Sequence, residues 1–136
     1  MQRIALILEK NLTAGQTANI SGILMGQAAV LMPDLYDRTP VCDRDGQNHA
    51  AIKYSTVVLA SGSGQLHTLC KNVRDNHPGV TCITFTQVGQ GLHNRYEEYA
   101  TLIADSTLEV SKPVGVIIAG ADEEIRLITK KFSLFK

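Results

Sequence analysis

The chain has 136 residues, 44% of them hydrophobic and 19% charged, and its 13 Lys and Arg balance its 13 Asp and Glu. That length suits one domain able to bury its own core without cross-links. Zero net charge argues against a surface built mainly to grip phosphate backbones.

The opening MQRIALILEK lacks the long apolar segment of a secretory leader and predicts a buried strand over residues 3–9. From about residue 15 to 31 the period turns helical. Ile20, Ile23, Leu24 and Leu31 share one face, with Gln16 and Gln27 inside the stripe. Ala18, Gly22, Gly26 and Ala29 make a second, flat face. Helical glycines cost about 1 kcal/mol each relative to alanine, so this pair points to close packing, by a neighbouring helix before a second subunit. The longest apolar stretch, ISGILMGQAAVLM, contains Gln27 and is shorter than the ~20 residues that span a bilayer. No membrane partner is expected.

Residues 32–50 read as irregular, with a turn at Asp45-Gly46. A second strand follows at 55–60. SGSG then links to a helix over 65–76 that turns Leu66, Leu69, Cys70 and Val73 inward. Pro78-Gly79 ends it, and VTCITF makes a third strand over 80–85. TQVGQG reads as a loop. A helix over 93–105 aligns Leu92, Tyr96, Tyr99, Ala100 and Ile103, and PVGVIIAG is a strand over 113–120. The last helix, 122–132, has acids in its first turn and Lys130 and Lys131 in its last, which suits the helix dipole. Ile125, Ile128 and Phe132 form its core face, leaving Leu127 outside. Strands alternating with helices imply a parallel or mixed sheet covered on both sides.

Four places carry candidate chemistry. The elbow NLTAGQTANISG has neither dinucleotide nor P-loop glycine spacing, so what remains is a helix start with Gln16, Thr17 and Asn19. Thr13 or Thr17 serving as a simple cap explains it equally. The loop CDRDGQNH gathers Cys42, Asp43, Asp45 and His49. Val41 and Ile52 stand where an EF-hand needs acids, and a Cys42–His49 nucleophile pair would need the loop to bring them together. Solvated charges on an Asp-Gly turn are the plain alternative. His67 and Cys70 have an i, i+3 spacing that suits a metal, but no second ligand pair accompanies them, so no zinc is expected. Tyr96 and Tyr99 lack interleaved Arg or Lys and read as core rather than as a base-stacking platform. The three cysteines, Cys42, Cys70 and Cys82, have no paired spacing and read as free thiols in a reducing cytoplasm.

The strand IALILE, the elbow, the small-residue helix and the ending GVIIAGADEEIRLITKKFSLFK together resemble the peptidyl-tRNA hydrolase type II fold over nearly the full chain. That resemblance implies a three-layer α/β/α sandwich with a mixed, mostly parallel sheet of about four strands. Gly15, Ala18 and Asn19, the Asp-x-Asp-Gly turn at 43–46 and the LIT string near the end are more similar still to a bacterial family on that fold, the domain of unknown function two thousand. The hydrolases carry Gly-Lys-Gly-Lys at the elbow, where this chain has Gln16 and Ala18 in place of the lysines. Their Asp-Ala-Gly-x-Thr after the third strand is matched here by Gln87, Val88, Gly89, Gln90 and Gly91. Glutamine neither acts as a general base nor supplies positive charge.

The expectation is thus a single cytoplasmic domain, residues 1–136, that binds an unknown small molecule and lacks the hydrolase groups. Its site lies between the first helix and the loop after the third strand, lined by Gln16, Thr17, Asn19 and Gln87, with Tyr96 nearby. No cofactor, metal or nucleic-acid partner is expected. Two alternatives stand beside it. One is a hydrolase with catalytic groups relocated to Cys42, Asp43, Asp45 and His49, whose loop must fold over the elbow. The other is a homodimeric scaffold using the Gly22/Gly26 face or Leu127.

Overall fold

Ile4, Ala5, Leu6, Ile7 and Leu8 follow one another with at most 1% of their surface exposed. A run buried on both faces belongs at the centre of a covered sheet. The computed structural model, which describes residues 1–92 and 94–136, places β1 (Gln2–Glu9) there. In chain order follow α1 (Ala14–Leu31), β2 (Val41–Cys42), β3 (Asn48–His49), β4 (Ser55–Ser61), α2 (Ser63–Asn76) and β5 (Thr81–Thr86). Then come α3 (Gln87–Gln90), α4 (Tyr96–Ala104), α5 (Leu108–Ser111), β6 (Pro113–Ala121), α6 (Asp122–Thr129) and β7 (Ser133–Leu134).

The main sheet has five strands in the order β5-β6-β1-β4-β7. Only β1 and β4 pair in parallel, while β1–β6, β5–β6 and β4–β7 are antiparallel. This corrects the expected mostly parallel sheet of about four strands. β1, β4 and β5 do run the same way, but β6 inserts in reverse between β5 and β1, and the short β7 adds an edge. Alternation of strands and helices along a sequence carries no sign of such an insertion.

Side chains alternate across β1 and β6 and so feed two separate cores. On one face Ile20, Leu24 and Ala28 of α1 pack over Ile4, Leu6, Leu8, Ile117 and Ala119. On the other, Leu66, Leu69, Cys70 and Val73 of α2 and Ile125 and Ile128 of α6 pack over Ala5, Ile7, Val116 and Ile118. The result is an α/β/α arrangement. Its crossovers through α1 and α2 travel in opposite directions on opposite faces, as one fixed crossover hand requires. Gly115 lets α1 lie directly on the β6 backbone. A Cβ there would sit 2.7 Å from Leu8 Cδ2 and 2.8 Å from Ile20 Cγ2.

Several expectations shift by local causes. Ile23 and Leu31 of α1 are 38% and 58% exposed, because the buried stripe continues from Leu24 to Ala28 instead. A Cβ on Gly22 or Gly26 would meet nothing within 4 Å, so among the described residues no neighbouring helix covers that flat face. The second glycine of SGSG lies inside the first turn of α2, whose preceding Gly62 N–H donates to Gln65 Oε1 at 3.0 Å. TQVGQG contains the single-turn α3. The fourth helix starts at Tyr96; His93, where it was expected to begin, lies outside the described residues. Tyr96 is 73% exposed and so is no core residue. The last helix stops at Thr129, and Phe132 packs half-buried against the α2/α6 core from beyond it.

Candidate functional site

The elbow is closed by a reciprocal cap. Thr13 Oγ1 accepts the Gln16 N–H at 3.2 Å, and Gln16 Oε1 accepts the Thr13 N–H at 3.0 Å. This pairing satisfies amide donors that a helix start otherwise leaves open. The side-chain oxygen of Gln16 is therefore committed to the fold, and its amide nitrogen is the part left to meet a ligand. Thr17 Oγ1 donates back to the Thr13 carbonyl at 2.9 Å.

Because β1, β4 and β5 run the same way, their carboxyl ends open at one edge of the sheet, where α1, α2 and α3 begin. Crevices at such edges are the usual ligand sites of α/β sheets. Here the edge holds a cleft of about 720 Å³. β1 and the turn after it contribute Glu9, Asn11 and Leu12; α1 contributes Gln16, and α2 contributes Gly64 and His67. Gln87 and Gln90 come from α3, and Leu108, Glu109, Lys112, Pro113 and Val114 from α5 and the start of β6. Thr86, just before Gln87, is only 5% exposed, and its hydroxyl has no hydrogen-bond partner among the described residues.

Of the residues expected to line this site, Gln16 and Gln87 do so. Thr17, Asn19 and Tyr96 do not. Thr17 is turned to its own helix, Asn19 is solvent-exposed, and Tyr96 lines a separate hollow of about 240 Å³ with Phe85 and Tyr99. The lining is also not the neutral amide set anticipated, since it carries Glu9, Glu109, Lys112 and His67 as well.

Lys112 is the residue that sequence reasoning missed most completely. It closes α5 with φ 59 and ψ 100, a left-handed backbone that an L side chain rarely adopts. Its carbonyl accepts the Gln87 N–H at 3.0 Å and so fixes the start of α3 at the rim of the cleft. Non-glycine residues held at such angles store about 1–3 kcal/mol, and they cluster at functional sites. Glu9 also shapes its own corner, with Oε2 accepting the Asn11 N–H at 3.2 Å.

The second candidate cluster lies elsewhere. Cys42, Asp43, Asp45 and His49 sit on the exposed β2–β3 hairpin, and none of them lines the cleft. His49 Nε2 is 2.7 Å from Asp43 Oδ2, while Asp43 Oδ1 accepts the N–H groups of Asp45 and Gln47 at 2.9 and 3.0 Å. The His49 contact first, and the turn amides after it, hold the Asp43 carboxyl below its ordinary range. Cys42 Sγ donates to the Asp43 carbonyl at 3.6 Å rather than reaching the imidazole. The hairpin thus joins Asp43 to His49 but makes no Cys42–His49 pair. His67 and Cys70 part company too, since His67 faces the cleft and Cys70 another cavity. Among the described residues no three His, Cys, Asp or Glu side chains gather as a metal site.

Fold and site together define an α/β/α protein with a polar crevice at the strand ends. The chain belongs to the family described as Protein of unknown function (DUF2000), whose model matches residues 2–136. It is similar in fold to the solved structure of a protein of unknown function from Agrobacterium tumefaciens, with a TM-score of 0.86 over 99% of this chain and 98% of that one at 18% identity. No curated protein matches the chain. No helix among the described residues is long and apolar enough to cross a membrane.

Proposed function

We propose that the chain binds a small polar molecule, neutral or zwitterionic, in the cleft at the carboxyl ends of β1, β4 and β5. The sandwich is, on this reading, of the peptidyl-tRNA hydrolase II type with that enzyme's chemistry absent. The observation that carries it is the meeting of Gln16 and Gln87 in one cleft whose volume, about 720 Å³, falls within the usual range for small-molecule sites. The charges narrow the ligand class. Glu9 and Glu109 oppose a phosphate, while Lys112 offers a partner for a single carboxylate and the amides serve donors and acceptors alike.

A thermal-shift screen of zwitterionic and neutral polar metabolites, followed by calorimetric titration of any hit, tests this. Gln16→Ala combined with Gln87→Ala is expected to weaken the hit at least about tenfold, or about 1.4 kcal/mol. Gln16→Glu is the folding control, because glutamate at that position keeps the reciprocal cap. Unchanged affinity in the double variant refutes the site. A peptidyl-tRNA cleavage assay is expected to show no turnover, and turnover would restore the hydrolase reading. The scaffold reading draws on the uncovered Gly22/Gly26 face, and light scattering of a concentrated sample showing monomer removes it.

A further inference from the structure

Across the sheet from α1, the helix α2 lies over β5 and brings two of the three cysteines together. Cys70 Sγ is 3.3 Å from Thr84 Oγ1, and Cys82 packs against the core cluster that contains Cys70. Cys82 and Thr84 are two residues apart on β5 and so share a face. All three line a cavity of about 390 Å³ that also takes in Arg74 and His77. The Arg74 side chain is 70% exposed, so the cavity reaches the surface although Cys70 itself is 7% exposed. The charged and titratable groups here are Arg74 on α2, paired with Asp75 at 3.6 Å, His77 after the helix, and Glu124 of α6, whose Oε2 lies 2.8 Å from His77 Nδ1.

We propose that Cys70 and Cys82 form a two-thiol site that a small hydroperoxide oxidises to an intramolecular disulfide. Cys70 is the attacking group, because the Thr84 hydroxyl 3.3 Å from its sulfur is placed to stabilise a thiolate. Hydrogen bonds from Cys82 and then Thr84, with the positive Arg74 nearby, hold its thiol below the ordinary range against the opposing effect of burial. The Cys82 thiol, which serves as the partner of that charge, is pushed up. In the first step the Cys70 thiolate attacks one peroxide oxygen. An S–O bond forms, the O–O bond breaks, and the second oxygen leaves as the alcohol or water after taking a proton. In the second step the Cys82 sulfur attacks the sulfenic sulfur, an S–S bond forms, the S–O bond breaks, and water leaves with the Cys82 proton. Two thiols give up two electrons and the hydroperoxide accepts them. The two sulfurs, which line one cavity, must then close to about 2.05 Å.

The test uses the whole protein and hydrogen peroxide. After peroxide and then alkylation, peptide mapping is expected to show a Cys70–Cys82 linkage, with an intact-mass loss of two hydrogens that dithiothreitol reverses. The exposed Cys42 serves as the internal reference and is expected to be modified more slowly than Cys70. Cys82→Ser should leave Cys70 carrying one oxygen, trappable by dimedone, whereas Cys70→Ser should leave Cys82 unmodified at the same dose. Full alkylation of both thiols at a peroxide dose that already oxidises Cys42 overturns the proposal, and that result needs only the wild-type chain.

Discussion

Gly115→Ala tests how α1, and with it the elbow, is positioned. An alanine Cβ would stand 2.7 Å from Leu8 Cδ2, 2.8 Å from Ile20 Cγ2 and 3.2 Å from Leu24 Cδ1. Carbon atoms favour about 3.5–4.0 Å, so the two closest contacts fall short by about 0.7–1.3 Å. Leu8 and Ile20 are buried at 0% and 1% exposure and have no free space to rotate into. Over-packing of this kind costs about 1–3 kcal/mol, while replacing glycine recovers about 0.4–1 kcal/mol from the unfolded chain. The net loss is about 1–2 kcal/mol, and with an unfolding entropy of about 2.1 cal/mol/K per residue it lowers Tm by roughly 3–7 °C. Thermal melts by circular dichroism check this. In a Leu8→Ala background, which removes the nearest clash, the cost of Gly115→Ala should fall by about half, giving a coupling energy that independent sites lack. A Gly115→Ala protein that melts at or above the wild-type temperature refutes the close-approach argument.

The strain at Lys112 is tested by comparing two variants that both remove the ammonium. Lys112→Gly should melt about 3 °C, or about 1 kcal/mol, above Lys112→Ala, because only glycine takes this backbone without a Cβ penalty; equal melting refutes the strain. Thr13→Ala should lower stability by about 1 kcal/mol through loss of the cap, with Thr13→Ser restoring most of it in a denaturant melt. The hairpin supplies a pH test. The carboxyl of Asp43 is lowered in the folded chain, so its contribution is present above the ordinary carboxylate value and is lost as pH falls through the lowered one. His49→Ala should move the Asp43 midpoint upward in a carboxylate NMR titration, and an unmoved midpoint refutes the His49 contact as its main cause.

Of the four long strands, β1 and β6 were legible as apolar runs that only a covered sheet accommodates, and β4 and β5 as short stretches rich in β-branched residues between turn signals. β6, whose residues from Pro113 to Gly120 are all buried, is the clearest case. Their order was not, because placing β6 between β5 and β1 depends on contacts between distant segments and not on local pattern. Helix α1 was placed to within a residue, yet Ile23 and Leu31 were assigned to the wrong side. An apolar pattern with Ala28 in the buried stripe leaves the face underdetermined when larger residues compete for it. Of the residues lining the candidate cleft, Gln16 and Gln87 were readable, where the family resemblance pointed. Glu109 and Lys112 escaped because the short α5 has too few residues to show a period, and convergence of three loops is a property of the folded chain alone. A lysine directly before Pro113 was the only local hint, since a residue in that position is barred from continuing a helix.

The reversed insertion of β6 has a consequence for how the chain is made. During synthesis β1 emerges before the strands that flank it, and one of those two is encoded far downstream, by Pro113–Ala121. Until that stretch leaves the ribosome, the five most buried consecutive residues of the protein keep an open backbone edge. Such edges recruit other strands, and long-range pairings are slow to form. The sheet therefore cannot close around β1 until β6 has left the ribosome. A ribosome stalled before residue 113 would display a nascent chain sensitive to chaperone binding and protease, with protection arriving only once β6 has been released.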